Sequence, residues 1–548
     1  MYIRAIRAHI CVKRIMALGL LLPLTACALL VLPSCRQSME KKAAVLNWAF
    51  PCIFEIGGEK LDAEAAQKDI EACVNAALRA RGKTYQVKCS LYGLEKDDFQ
   101  ERADAIWAEH AGEPDSVKYQ LLDDSSVELD RSSLELEAAL KRQADLDVIT
   151  FIRGPWVSGP YYPWDPYLKA LKSKSLLDLT DALAGEQGRE LVQKLGRRTL
   201  EQGAWQHRAY GIPYRQASGL NAGLSYAEEA IEALHLDKAA LPGDILVLEP
   251  ILKMWDDPED PPLYASPLDL LYEQAPIEAR LQDIWNVALF TDGQFHLIFE
   301  EPSYRAYLKT LASWKKDGLL RVARYRNDQE RPMRRLLVVP TGLRAEEAKA
   351  GEIHNSMYRT ASYDVPNLKH AIQTETYTSN LTAVLAASER PDEAFDFLCA
   401  LSLDEKLRDD LSTLGKKVPK GGSRPLSDFL MPLLSFVKLP AEFRPSAGVV
   451  EAAGRAGLDG FRFDPSGLET EIRAVNKIIG YGAGNDESLY PGAARRVAMM
   501  EEPMEANLDQ LTQDLKAAGA DRIVAEANRQ LALWRASAPQ AEKGGGAS

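Results

Sequence analysis

Apolar runs alternate with amphipathic stretches over the first part of the chain. Strands are predicted at 44–50 (AVLNWAF), 84–93 (TYQVKCSLYG) and 145–152 (DLDVITFI), the last with the continuous apolar core of a strand buried on both faces. Helices are predicted between them, over 63–81 and around Trp107. This order is typical of parallel βαβ units, whose ligands gather beyond the carboxyl ends of the strands. The first part of the chain is therefore predicted to form an α/β lobe.

The pattern changes at residues 210–226, YGIPYRQASGLNAGLSY. It predicts a short strand from Tyr210 to Tyr214, a polar turn, and a second strand that runs into a helix. Pro213 lacks an N–H group and fixes φ, so the first strand is predicted at the edge or the end of a sheet. We interpret the segment as a crossover between two lobes with a ligand cleft between them. An ordinary loop inside one large domain is the alternative.

A second set of elements follows the crossover, and it is sufficient for a second α/β lobe. The predicted elements are helices at 225–237 and 244–255, two strands within 285–301 joined at Asp292-Gly293, a helix at 303–320 stopped by Gly318, a strand at 334–342, and a strand and two helices within 377–417, with helix ends at Pro391 and Gly415.

The N-terminal segment has the composition of an export signal. A basic leader precedes an almost unbroken apolar run at 15–32. Two short motifs here resemble the lipobox of bacterial lipoproteins, ending at Cys27 and at Cys35. Lipidation is predicted at Cys35, with Cys27 as the alternative, because cleavage at Cys27 would leave ALLVLP on the mature end. A membrane-spanning helix is the other interpretation. Both place the remainder outside the cytoplasm, and the first anchors it by lipid to the outer side of the cytoplasmic membrane.

Net charge and cysteine content limit the classes of ligand and the cross-links that the chain can form. The net charge of −13 argues against nucleic acid, which needs a basic surface. In an oxidising compartment a disulfide is feasible, and Cys52 with Cys89 is the preferred pair because each ends a predicted neighbouring strand. Cys73 and Cys399 are at least as well explained as buried thiols. The cysteine spacing does not resemble a zinc site, and we expect a monomer with no metal and no cofactor.

Aromatic residues gather at the predicted strand ends and at the crossover. Flat rings stack on the CH faces of sugars, and a few polar groups bind the hydroxyls, as a carbohydrate cleft requires. Packing of the loop onto its lobe is the alternative for any single ring. The candidate ligand-binding residues are Trp48, Arg153, Trp156, Tyr161, Tyr162, Trp164, Trp205, Tyr210, Tyr214, Arg215 and Tyr377.

Two of these candidates are arginines that directly follow predicted strands. If Arg153 and Arg215 both point into the cleft, their planar guanidinium groups would suit a carboxylate. This motivates the hypothesis of an acidic oligosaccharide such as a uronate-containing fragment. Two surface arginines paired with nearby acids are the alternative.

The order of these elements resembles the family 1 extracellular solute-binding proteins, the capture components of ABC importers for sugars and related compounds. The resemblance implies a periplasmic-binding-protein type II fold, α/β, with two lobes joined by a hinge. The matching segments are DLDVITF (145–151), LLDLTDAL (176–183), YGIP (210–213), SWKKDGLL (313–320) and ASERPDEAFDFLCALSLDEK (387–406).

The C-terminal part is similar to a LipO-like subgroup of these lipoproteins. In that subgroup a Gly-Phe-x-Phe-Asp strand precedes helices, and an Ala-Gly-hydrophobic-Asp turn leads into a final helix that ends in Gln-Leu-x-x-Trp. The resemblance implies an extra, mainly helical C-terminal region. The matching residues are Gly460, Phe461, Phe463, Asp464, Ala518, Gly519, Asp521, Gln530, Leu531 and Trp534.

These patterns divide the chain into six parts. They are a lipoprotein signal peptide (1–35), a tether (36–44), lobe 1 (45–210, with a return segment at about 336–400), lobe 2 (211–335, with part of 400–455), a C-terminal LipO-like region (456–538) and a disordered tail (539–548).

Motifs for catalysis are not found. The sequence has no HExxH helix, no GxSxG elbow after a strand, no P-loop and no dinucleotide glycine fingerprint. We therefore expect a binding protein rather than an enzyme, one that captures an oligosaccharide by lobe closure and delivers it to ABC permease subunits in the membrane. The alternatives are an extracellular glycan-acting enzyme and a ligand-binding lipoprotein that serves a sensor system.

Overall fold

The structure is a computed structural model. It describes residues 44–52, 54–56, 58–93, 146–152, 166–213, 220–256, 261–267, 269–281, 284–322, 337–344, 351–354, 361–372, 380–419, 422–430, 433, 457–458, 460–479 and 492–538. The predicted signal peptide, the tether up to residue 43, the helix around Trp107 and the tail at 539–548 lie outside these residues.

Strands occupy both halves of the described chain. They are β1 (Ala44–Cys52), β2 (Glu55–Ile56), β3 (Glu59–Lys60), β4 (Tyr85–Gly93), β5 (Val148–Ile152), β6 (Ala204–Trp205), β7 (Arg208–Ala209), β8 (Gly211–Pro213), β9 (Leu220–Ala227), β10 (Leu263–Ala265), β11 (Ala279–Leu281), β12 (Ile284–Leu289), β13 (Phe295–Leu297), β14 (Leu320–Val322), β15 (Val338–Arg344), β16 (Gly351–His354), β17 (Ala361–Ile372) and β18 (Asn380–Val384).

Helices flank these strands and dominate the C-terminal part. They are α1 (Ala63–Ala80), α2 (Pro166–Lys172), α3 (Thr180–Ala184), α4 (Glu186–Leu195), α5 (Arg197–Glu201), α6 (Glu228–Ala233), α7 (Glu249–Leu252), α8 (Pro302–Lys316), α9 (Pro391–Leu403), α10 (Glu405–Gly415), α11 (Leu426–Phe429), α12 (Glu469–Ile478), α13 (Gly492–Ala498), α14 (Met504–Ala517) and α15 (Ala520–Ala536).

Local chemistry explains several of the boundaries. Helix α1 begins where the Asp62 carboxylate accepts the backbone N–H of Ala65, and α9 begins at Pro391, which needs no hydrogen-bond donor at the first helical position. The β12–β13 hairpin turns at Gly293, whose φ of 75° favours glycine. The predicted helix over 63–81, the helix start at Pro391 and the hairpin at Asp292-Gly293 are confirmed. The helix predicted at 225–237 is shorter than expected because its first residues continue strand β9.

Lobe 1 is built on a five-stranded sheet in the order β4-β1-β5-β18-β8. Strand β1 runs parallel to both β4 and β5, and α1 connects β1 to β4, so the predicted parallel arrangement is confirmed. Strand β8 lies at the sheet edge, where the missing N–H group of Pro213 does not cost the sheet a hydrogen bond. Alternate residues of β1 face opposite layers: Trp48 packs with α1 and α9, whereas Ala49 packs with α2.

Lobe 2 contains a six-stranded sheet in the order β14-β10-β15-β9-β17-β16 and a three-stranded sheet, β11-β12-β13. A return segment at about 336–400 was predicted for lobe 1, but its strands β15, β16 and β17 belong to this second sheet, since β9 pairs with both β15 and β17, and β17 pairs with β16. The chain returns to lobe 1 only at β18. Part of 400–455 was predicted to belong to lobe 2, but helices α9, α10 and α11 pack in the core of lobe 1.

The C-terminal helices share one hydrophobic core with lobe 2. Leu508, Ile523 and Leu531 are buried in the same cluster as β12, β13 and α8. The Asn528 side chain accepts the N–H of Phe295 at 2.8 Å and donates to its carbonyl at 2.7 Å, as a strand partner would. The described residues of 456–538 thus share the core of lobe 2. The segment Gly460–Asp464, a strand in the subgroup it resembles, has no regular secondary structure here.

The structure forms no disulfide between Cys52 and Cys89, so that prediction is wrong for this conformation. The parallel register places Cys89 opposite Trp48, whereas Cys52 lies opposite Gly93. The offset of four residues is about 13 Å at about 3.3 Å per residue, and a disulfide requires Cα atoms within about 7 Å. Burial raises the pKa of Cys399 to about 12 and that of half-buried Cys73 to about 11, as expected for unreactive thiols.

A polar network stabilises the helix layer of lobe 1. The Asp396 carboxylate of α9 accepts hydrogen bonds from Lys83 and from the Tyr85 hydroxyl, both at 2.6 Å, and from Gln187. Burial raises the pKa of Asp396, but these hydrogen bonds outweigh it and hold the pKa below its ordinary value. The ionised carboxylate therefore contributes stability at neutral pH.

We expect Asp396→Asn to lower the free energy of unfolding by about 1–3 kcal/mol at pH 7, because it removes a charged acceptor from three donors. A depressed folded-state pKa contributes stability above the ordinary pKa, and that contribution is lost as pH falls through the folded value. The difference between parent and variant should therefore shrink below about pH 4 in urea melts at several pH values. Asp392→Asn, exposed on the same helix, is the control. A difference that persists unchanged at low pH would contradict this interpretation.

Candidate functional site

One edge of the lobe 1 sheet collects the carboxyl ends of its strands. Parallel strands β1, β4 and β5 end there, and antiparallel β18 begins there, since Ile152 pairs with Asn380. Strand β8 ends at the same edge because Pro213 pairs with Leu381. This is the edge at which open α/β sheets bind ligands. It is named the carboxyl edge below.

Two chain segments cross from the carboxyl edge to the lobe 2 sheet. The first joins Pro213 to Leu220 and the second joins Ile372 to Asn380, and in lobe 2 Leu220 pairs with Ile372. The crossovers therefore begin and end on neighbouring strands in both sheets, as a two-segment hinge requires. The seven peptide links from Pro213 to Leu220 span at most about 25 Å. The end of β8 and the start of β9 therefore lie no farther apart than this span, and the passage of the chain from one sheet to the other within 210–226 is as predicted.

Most of the predicted ligand-binding residues belong to segments attached to the carboxyl edge. Arg153 directly follows Ile152, and Tyr214 directly follows Pro213. Tyr377 precedes Asn380 by three residues. The sheet brings these attachment points together, since Ile152 and Pro213 flank the first residues of β18. The candidates outside the described residues are Arg153, Trp156, Tyr161, Tyr162, Trp164, Tyr214, Arg215 and Tyr377.

Trp48 lies in the core of lobe 1 and is fully buried. Its ring makes edge contacts with Phe50 at 4.9 Å and Phe397 at 5.2 Å, and its Nε1–H donates to Thr150 Oγ1 at 2.9 Å. The apolar run of β1 does not show which face each residue occupies, and position 48 falls on the face that packs against α1 and α9. Trp48 therefore offers no ring surface to a ligand in this conformation.

Trp205 and Tyr210 are half-buried near the amino end of β8. Trp205 pairs with Arg208 in the β6–β7 hairpin, and Arg208 contacts the Asp178 carboxylate. Burial and the nearby Asp178 charge raise the pKa of Tyr210, which keeps its hydroxyl protonated. The two rings pack beside α2, and Tyr210 precedes β8, whereas the crossover leaves from the other end of this strand. Their role as ligand contacts stays a prediction.

Tyr92 is a candidate that sequence reasoning missed. It is half-buried one residue before the carboxyl end of β4, and its hydroxyl donates to the carbonyl of Thr150 at 2.6 Å. Its position at the end of the predicted strand TYQVKCSLYG was a usable signal. The hydrogen bond fixes the ring beside the carboxyl edge.

Two further searches cover only the described part of the chain. No group of three or more His, Cys, Asp or Glu residues there is arranged to hold a metal ion. No described helix is both long enough and apolar enough to cross a bilayer.

Two α/β lobes joined by paired crossovers define the fold of two-lobe substrate-binding proteins. The N-glycan transport solute-binding protein of Streptococcus pneumoniae has this fold, with a TM-score of 0.52 and 11% identity over 90% of this chain and 99% of its own. The predicted fold class is thus confirmed. No protein-family model matches the sequence, and no curated protein matches it.

Two other solved structures are less similar to this chain. The cyclic α-maltosyl-1,6-maltose binding protein of Arthrobacter globiformis has a TM-score of 0.42 and 13% identity over 87% of this chain and 98% of its own. A family 1 extracellular solute-binding protein of Alicyclobacillus acidocaldarius has a TM-score of 0.41 and 11% identity over 87% of this chain and 99% of its own.

Proposed function

We propose that this protein captures an oligosaccharide between its two lobes and delivers it to the permease of an ABC importer. The paired crossovers carry the proposal, because they join two sheets by neighbouring strands and let the lobes rotate without breaking either sheet. The fold of the N-glycan transport protein supports it. The two-lobe fold also supports membership of the family 1 solute-binding proteins, and the C-terminal motifs support the LipO-like subgroup.

The affinity of a two-lobe binding protein for its ligand comes from contacts that form only when the lobes close. A ligand that binds the closed state more tightly shifts the population from open to closed by its difference in affinity for the two. Rings attached at the carboxyl edge would stack on the sugar faces, and no bond is broken. The closed lobes then present the permease with a surface that the open form lacks.

Capture predicts a specific loss of affinity when a ring attached to the carboxyl edge is removed. We expect Tyr214→Ala to raise the Kd for the best oligosaccharide about tenfold or more, since an aromatic side chain contributes about 1.5–3 kcal/mol on burial. Isothermal titration calorimetry measures the effect after a thermal-shift screen of a glycan library. Tyr85→Phe, at the amino end of β4, should leave the Kd unchanged. Equal affinities of the two variants, or the absence of any stabilising glycan, would overturn the proposal.

The charge of the ligand depends on Arg153 and Arg215. If both guanidinium groups bind a carboxylate, uronate oligomers should bind more tightly than neutral oligomers of equal length. Arg153→Gln with Arg215→Gln should abolish that preference. Tighter binding of neutral N-glycan fragments by the parent protein would remove the acidic-ligand hypothesis and leave carbohydrate capture intact.

Export and lipid anchoring complete the proposed function. Lipidation at Cys35 would hold the lobes on the outer side of the cytoplasmic membrane, next to the permease. Mass spectrometry of the mature N-terminal peptide distinguishes acylated Cys35 from acylated Cys27. A mature protein without acyl chains would contradict the anchor and not the capture of sugar.

A further inference from the structure

Among the residues that the structure describes, a cluster of C-terminal residues contacts lobe 1, and this cluster is here named the joint. The joint consists of residues 460–466 and Trp534 on the C-terminal side. On the lobe 1 side it consists of α2, the end of α5 and the β6–β7 hairpin. The joint includes five of the ten motif residues that mark the C-terminal region, and only Trp205 among the residues of the joint is part of the predicted ligand site.

A buried arginine forms the centre of the joint. Arg462 is 4% exposed, and its guanidinium donates to the carbonyl of Gln202 at 2.7 Å. The same group lies 4.8 Å from the ring centroid of Tyr167, a cation–π contact in a desolvated site. The Tyr167 hydroxyl donates to the carbonyl of Gly203 at 2.6 Å. A buried cation is costly to leave without its partners, so this contact resists separation.

A close backbone approach and several polar contacts lie around Arg462. Gly460 has a φ of 83°, and a side chain there would come within 3.1 Å of the Glu201 carbonyl oxygen. Lys172 Nζ lies 2.8 Å from an Asp464 carboxylate oxygen and 2.6 Å from Ser466 Oγ. The joint is therefore fixed by backbone fit as well as by charge.

A histidine on the hairpin turn completes the joint. The His207 ring stacks on Trp534 with centroids 4.9 Å apart and planes at 21°, and His207 Nε2 lies 2.8 Å from the Trp534 carbonyl oxygen. His207 has a φ of 62°, a conformation that directs the turn of the two-residue hairpin. The stacking of His207 on Trp534 thus depends on this turn, in which His207 adopts a left-handed backbone conformation.

The same C-terminal residues are held firmly by lobe 2. Gln530 accepts the N–H of Asp464 and donates to its carbonyl, both at 2.8 Å. Phe461 packs between Phe295 at 5.9 Å and Trp534 at 5.7 Å. The segment therefore has lobe 1 on one side and the core of lobe 2 on the other.

We propose that the joint is the fixed pivot of lobe closure, with Arg462 as a positioning residue that never contacts the ligand. This inference rests on the proposed function. The joint adjoins the amino end of β8, where the N–H of Gly211 bonds to the carbonyl of Gly203 at 3.3 Å, while the crossover leaves from the carboxyl end. Rotation about a contact that does not separate confines the motion of the carboxyl edge to one path. The crossovers alone would allow several.

The test measures the inter-lobe distance in protein without ligand, so it does not depend on finding the sugar. Spin labels at Gln193→Cys on α4 and Lys316→Cys on α8 are both exposed, and double electron–electron resonance gives their distance distribution. The labelling background replaces Cys11, Cys27, Cys35 and the half-buried Cys73 by serine. The remaining thiols, Cys52, Cys89 and Cys399, are buried and therefore react slowly.

A matched pair of lysines separates the joint from general surface charge. Lys172 and Lys194 are both 41% exposed and each contacts a carboxylate, but Lys172 pairs with Asp464 across the joint whereas Lys194 pairs with Glu405 inside lobe 1. Lys172→Met is expected to broaden the distance distribution, and Arg462→Met to broaden it further. Lys194→Met should reproduce the parent distribution.

Two outcomes decide the proposal. If Lys172→Met and Asp464→Asn are folded by circular dichroism and give the parent distribution, the joint is not the pivot and the proposal fails. These partly exposed positions keep the test valid even where Arg462→Met does not fold. A broadened distribution in a protein that no glycan stabilises would support the pivot and contradict carbohydrate capture, so the two failures are distinguishable.

Discussion

Trp48→Ala is expected to lower the free energy of unfolding by about 3–5 kcal/mol, because it removes a fully buried indole and leaves a cavity between β1 and α9. It also removes the donor to Thr150 Oγ1, which remains bonded to Thr382 at 2.8 Å. Denaturant melts measure the loss. Phe54→Ala, at a ring 37% exposed just beyond β1, should change the stability far less.

A second substitution at this position tests whether Trp48 contacts the ligand. Trp48→Phe retains most of the packing and should leave the Kd for the oligosaccharide unchanged. A Trp48→Ala protein with the parent melting temperature and lost affinity would show that the ring belongs to the ligand site after all.

Gly203→Ala is expected to cost about 3 kcal/mol or more, because a Cβ atom there would lie 1.9 Å from the carbonyl oxygen of Gly211. The obstacle is backbone of strand β8, which cannot rotate away as a side chain could. Gly203 does not have a positive φ, so the requirement is for space alone. Thermal and urea melts measure the effect.

Gly467→Ala is the matched control for backbone strain. Gly467 has a φ of 80°, but no atom lies within 4 Å of the position that a Cβ atom would take, so alanine there meets only the left-handed conformation, at about 1–2 kcal/mol. Equal losses at the two positions would mean that β8 shifts to admit the methyl group at Gly203.

Elements defined by local chemistry could be predicted from sequence. The hairpin turn at Asp292-Gly293, Pro391 at the start of α9 and Pro213 at an edge strand each act within a few residues. Strand partners could not be predicted in this way. The pairing of β9 with β15 and β17 joins residues more than 100 apart, and an apolar strand fits either sheet.

The candidate site was predicted only in part for the same reason. Strand ends marked the attachment points at Ile152 and Pro213, and β18 brings them together. In a nearly continuous apolar strand the pattern does not tell which side Trp48 faces. The role of Arg462 was also hidden, since its acceptor at Gln202 is 260 positions away and a buried arginine has no sequence signature.

Strand β18 has a consequence for biogenesis. It lies between β5 and β8 in the sheet, although it is synthesised after all the strands of lobe 2. Until residue 384 has emerged, β8 has no strand partner in this sheet and β5 is paired only with β1, so a nascent chain cannot complete its first lobe. Such long-range closure makes folding slow and leaves sticky edges open in the interim. The unfinished polypeptide should therefore depend on chaperones that prevent its aggregation until β18 has been synthesised.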